Sequence, residues 1–60
     1  MTLGVLLNGL LYDGQISVRR KTKHWFEYVC SSQERMHRLY ADCVVVKSCI
    51  IDNVLVICVL

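Results

Sequence analysis

Residues 43–60 read CVVVKSCIIDNVLVICVL, a stretch whose only charges are Lys47 and Asp52. It is too apolar to lie exposed in water, so whatever buries it decides the fold. Valine and isoleucine dominate it, and their branched Cβ atoms restrict χ1 and favour strand over helix. Asp52-Asn53 divides it into two runs of strand length and supplies plausible two-residue turn chemistry. The spacing then predicts a hairpin in which Ile51 faces Val54, Cys49 faces Val56 and Lys47 faces Cys58. Neither face of that hairpin is clearly polar. It must be covered on both sides or lie inside a larger sheet.

The same residues also permit a membrane reading. A helix over the 19 residues 42–60 would be about 28 Å long, enough to cross the hydrocarbon core of a bilayer. Lys47 can snorkel from near one end, but Asp52 and Asn53 lie deeper. A charge near the centre costs about 2.5–3.5 kcal/mol, against a gain of about 0.3–0.6 per aliphatic residue, so insertion is marginal. In that alternative the chain is a tail-anchored single-pass membrane microprotein with its N-terminus in the cytosol. Its basic residues would then sit at the cytosolic surface.

Working outward, the 60-residue length allows one small domain, expected over 1–60 with the possible membrane segment at 42–60. A chain this short buries only about 60% of its unfolded surface, and such domains usually add a disulfide, a metal or a partner. Hydrophobic residues make up 55% of the chain, which excludes a disordered polymer. The apolar N-terminus lacks a leading positive region and a small-residue cleavage site, so it reads as mature sequence rather than a signal peptide. The expected location is therefore cytoplasmic, with Cys30, Cys43, Cys49 and Cys58 as free thiols.

Two further segments carry local signals. Asp13-Gly14, between the apolar run 3–12 and the alternating Gln15-Ile16-Ser17-Val18, reads as a tight hairpin turn, with Asn8-Gly9 in competition. Residues 24–30, HWFEYVC, suit a short strand. Ser31 followed by Glu34 is a capping box, which predicts a helix from there to about Asp42 with Met36, Leu39, Tyr40 and Cys43 as its apolar stripe. The expected fold is therefore α+β: an N-terminal hairpin, one short capped helix and a C-terminal β-hairpin.

Candidate chemistry is sparse. Arg19, Arg20, Lys21 and Lys23 run into Trp25, a pattern that can hold phosphates electrostatically and stack a base on an aromatic ring. It also suits anionic headgroups, or simply a solvated strand end. The net charge of +2 is mild, so nucleic acid ranks behind a protein partner. The cysteine spacings contain no knuckle that would bring two donors onto one zinc ion. Cys30 and His37 are seven positions apart, too far for a thiolate–base pair on one helix. No catalytic residue, metal site or cofactor is implied.

The expected function is that of a non-enzymatic small accessory or regulatory protein acting by protein–protein association, with a partner protein or with itself. Its association surface is expected on the apolar run Val54, Leu55, Val56, Ile57, Val59 and Leu60. A basic-aromatic nucleic-acid-contacting peptide acting through Arg19, Arg20, Lys21, Lys23 and Trp25 is the other alternative.

Overall fold

The computed structural model describes residues 1–60. The chain runs through α1 (Leu3–Asn8), β1 (Gln15–Lys21), β2 (Phe26–Cys30), α2 (Gln33–Leu39), β3 (Val45–Ile51) and β4 (Val54–Val59). The four strands form one sheet in the order β2-β1-β4-β3. β1 and β2 are antiparallel, β3 and β4 are antiparallel, and the two central strands β1 and β4 run parallel. The class is α+β: two hairpins joined through α2, with α1 leading in.

The C-terminal hairpin has the register read from the sequence. Ile51 pairs with Val54, Cys49 with Val56 and Lys47 with Cys58. Asp52 (φ 51°) and Asn53 (φ 66°) both adopt left-handed backbone. Two consecutive positive φ values make the two-residue turn whose twist matches that of the flanking strands. Asp and Asn tolerate that region better than other side chains. Residues 42–60 therefore do not form the alternative helix, and no helix in the structure is long and apolar enough to cross a membrane.

The first hairpin is built from other residues than the Asp13-Gly14 signal suggested. β1 pairs with β2, and the preceding run 3–8 is helical. Thr2 caps α1 by accepting the Val5 N–H. Leu3, Leu6, Leu7 and Leu10 then recur at helical spacing and face the core. Helical periodicity with a cap at its start prevails over a local turn dipeptide. Gly4 lets α1 approach closely: its N–H donates to the Ala41 carbonyl at 2.9 Å, and an added Cβ would lie 3.1 Å from Ala41 Cβ.

α2 is where the capping box placed it, shifted by one residue. Ser32 is the N-cap and accepts from Arg35 N, while the Ser31 hydroxyl hydrogen-bonds that of Tyr28. With Ser32 as cap the third helical position is Arg35 rather than Glu34. The reciprocal capping box expected at Ser31 therefore does not form, and the serine hydroxyl alone caps the helix. The helix ends at Leu39 rather than near Asp42, and of its expected stripe Leu39 is exposed while Met36 is fully buried.

Alternation along the strands defines the two faces. Ile16, Val18, Leu55, Ile57 and Val59 point to one side, where Leu3 of α1 and Met36 of α2 complete the core with Cys30. The other side of the sheet carries Ser17, Arg19 and Lys21 from β1, with Val56 and Cys58 from β4. Lys47, Cys49 and Ile51 of β3 and Phe26 and Tyr28 of β2 share it. No helix packs there.

Candidate functional site

Two exposed features remain once the core is assembled: the outer edge of β3 and the helix-free face of the sheet. The edge follows directly from topology. β4 is sandwiched between β1 and β3, which leaves β3 outermost with half of its backbone polar groups pointing away from the sheet. The start of β3 is covered by the N-terminus, since Val45 N–H donates to the Met1 carbonyl and Thr2 bridges Val44. From Val46 to Ile51 every residue is exposed. Apolar side chains predominate there, with Ile50 at 61% exposure.

Edges of this kind are usually guarded by a projecting lysine. Lys47 does not project. Its ammonium lies 4.9 Å from the centroid of the Phe26 ring, a distance at which the cation is held by the ring's electron-rich face. Phe26 belongs to β2, at the opposite edge, so the lysine arches over the sheet. That arch explains why Cys58 is buried on a face without a helix. The other edge strand is protected in the ordinary way. β2 is five residues long, carries Glu27 and contains the irregularity between its pairings with Val18 and Arg19.

The basic run is divided by strand alternation. Arg19 and Lys21 stand on the helix-free face, cross-strand from Tyr28 and Phe26 respectively. Arg20 points to the opposite face, where its guanidinium lies 5.7 Å from the Tyr40 ring centroid and one nitrogen approaches Cys43 Sγ. It serves to hold the end of α2 against the sheet. Lys23 and Trp25 occupy the β1–β2 turn, which Thr22 fixes by bonding both the N–H and the carbonyl of Trp25. With His24 and Glu27 they line a shallow open depression.

The apolar run expected as an association surface lies inside the sheet. Leu55, Val56, Ile57 and Val59 are buried, Val54 is half-buried, and only Leu60 is exposed. In a hairpin whose two arms are equally apolar, sequence does not say which arm is central. Parallel pairing with β1 claims β4, and the exposed apolar edge passes to β3.

All four cysteines are free thiols. Burial raises the Cys58 thiol above the ordinary value, against the smaller lowering effects of Lys47 and Arg19. Burial likewise raises Cys30, opposed by Arg35 and by the backbone of Ser32. A raised thiol pKa disfavours the nucleophilic thiolate. No group of three histidine, cysteine or acidic side chains converges to hold a metal ion.

These environments predict an order of labelling. With excess iodoacetamide at neutral pH, Cys49 should react first and Cys43 next. Cys30 and Cys58 should react only under denaturing conditions, as read by peptide mass spectrometry. The sign of the linkage also follows. In the native state Cys30 and Cys58 keep their protons to higher pH than in the unfolded chain. Stability is therefore complete below the unfolded thiol pKa and is lost as pH rises through the higher folded values. Urea midpoints should fall across that alkaline window.

Comparison with protein-family models, with curated proteins and with solved structures gives no match.

Proposed function

We propose that this chain is a non-enzymatic protein that acts by association, and that it pairs edge to edge with a second copy through β3. The observation that carries the reading is the open outer edge from Val46 to Ile51, exposed along its length and left unguarded because Lys47 is drawn back over Phe26. Antiparallel addition of a strand would satisfy the free backbone groups and cover apolar side chains at once.

The register of such a pair is constrained. Met1 and Thr2 cover the start of the strand, so the regular open stretch is Lys47–Ile51, with Cys49 at its midpoint. A two-fold axis through that midpoint places Cys49 opposite Cys49, Ser48 opposite Ile50 and Lys47 opposite Ile51. No like charges then face each other across the interface. The two thiols would stand about 5 Å apart at Cβ, close to disulfide range. A non-enzymatic role agrees with the raised pKa of Cys30 and with the exposure of His37 on a different element.

The test is the molar mass in solution. Sedimentation velocity on the reduced protein should show a concentration-dependent monomer–dimer equilibrium. Ile50→Lys, at a site exposed enough to spare the core, should shift it to monomer by tenfold or more in dissociation constant. Copper–phenanthroline oxidation should link Cys49 to Cys49. Cys49→Ser should remove the link and retain the reduced dimer. A monomer at all concentrations, or a dimer indifferent to Ile50→Lys, would overturn the reading.

A further inference from the structure

The helix-free face of the sheet has a second property that edge pairing does not use. Of the seven lysines and arginines in the chain, Arg19, Lys21 and Lys47 share this face. None of the five carboxylates does. Glu27 pairs with Arg20 on the helix-covered side, Glu34 lies on α2 beside Arg38, and Asp13, Asp42 and Asp52 lie outside the strands. The overall charge is modest, but its distribution is one-sided.

The aromatic residues are arranged with the cations. Across the β1–β2 pair, Arg19 stands opposite Tyr28 and Lys21 opposite Phe26. The two basic–aromatic pairs are therefore one strand repeat apart, about 7 Å. Tyr28 is 60% exposed, with its hydroxyl bonded to that of Ser31. Trp25 and Lys23, in the adjoining turn, line a depression with Glu27 of the helix-covered side and stand outside this series. Val56 and Cys58 floor the centre, kept dry by the arch of Lys47.

We infer that this face binds single-stranded nucleic acid, with Arg19 and Lys21 on phosphates and Tyr28 stacking a base. Alternating cations and ring faces match a ligand that alternates phosphate charge with planar bases. A duplex hides its base faces and would meet only the cations. A lipid surface would need apolar side chains projecting beyond the cations, and here Val56 and Cys58, which lie between them, are buried. The face is complete within one chain, so it stands independently of the pairing of β3.

Fluorescence anisotropy of a short fluorescein-labelled oligouridylate, titrated with the reduced protein, tests the inference. Affinity should fall with salt, with a log–log slope of about −0.7 for each phosphate engaged. Arg19→Ala with Lys21→Ala should flatten that slope by about 1.4, corresponding to two lost contacts. Tyr28→Ala should weaken binding roughly 5- to 100-fold while leaving the slope unchanged, because stacking carries no counterion release. Arg35→Ala with Arg38→Ala removes the same charge from α2 and should leave binding within twofold. Circular dichroism on each variant confirms that the fold is kept. The inference is overturned if no binding occurs at low salt, or if the α2 variant loses as much affinity as the β1 variant. Capture of the protein by phosphatidylserine vesicles without oligonucleotide binding would overturn it in favour of a lipid surface.

Discussion

Replacing Ile57 by alanine should cost about 2–5 kcal/mol, the range for truncating a large aliphatic side chain in a packed core. Ile57 is fully buried at the centre of the sheet, paired with Val18 on one side and Ser48 on the other, in the cluster that joins Leu3 and Met36. Domains of this length have about 3–9 kcal/mol of stability in total. The variant should therefore be largely unfolded or unfold at low urea, as read by far-UV circular dichroism. Trp25 fluorescence would be a poor probe, since the indole is already exposed in the native state. Ile51→Ala serves as the contrast. Ile51 lies on the same hairpin but is exposed at the edge, and its loss should stay within about 0.5 kcal/mol. Equal effects at the two positions would contradict the assignment of β4 as central and β3 as edge.

That assignment is also where sequence reasoning reached its limit. The C-terminal hairpin and its register were legible because one polar pair, Asp52-Asn53, interrupts an otherwise apolar run, and pairing outward from a two-residue turn is forced. Which arm is buried was not legible, because Val44–Ile51 and Val54–Leu60 have nearly the same apolar character. The choice is made by β1, each paired residue of which stands in parallel register with a β4 residue 39 positions away. At the N-terminus two signals competed. Asp13-Gly14 is strong turn chemistry, yet Thr2 as N-cap with Leu3, Leu6, Leu7 and Leu10 satisfies helical spacing over a longer span.

The basic run could be located by eye, but its chemistry depends on a strand period of two. That period sends Arg20 to Tyr40 and leaves Arg19 and Lys21 together on the open side. The role of Lys47 had no sequence signal. It follows from a contact between residues in the two outermost strands, brought within reach by the way the whole sheet is ordered.

Replacing Asp52 and Asn53 together by leucine should destabilise the protein by about 2–4 kcal/mol. Both residues sit at positive φ, where side chains without local hydrogen-bonding capacity pay roughly 1–2 kcal/mol each. The substitution also joins the two apolar runs of the hairpin into one uninterrupted segment. Soluble yield should fall along with the urea midpoint, since the variant exposes more apolar surface both in the turn and in the unfolded chain. Asn53→Gly separates conformation from polarity. Glycine adopts the left-handed region readily, so this change should leave the urea midpoint near that of the parent although it removes the amide. The Tyr12 hydroxyl donates to the Asn53 carbonyl, a backbone contact that glycine retains. Loss of stability in the double leucine variant with none in Asn53→Gly would establish that turn geometry holds the C-terminal hairpin in register. The opposite outcome, a double leucine variant as stable as the parent and retained in membranes on carbonate extraction, would restore the spanning helix over residues 42–60.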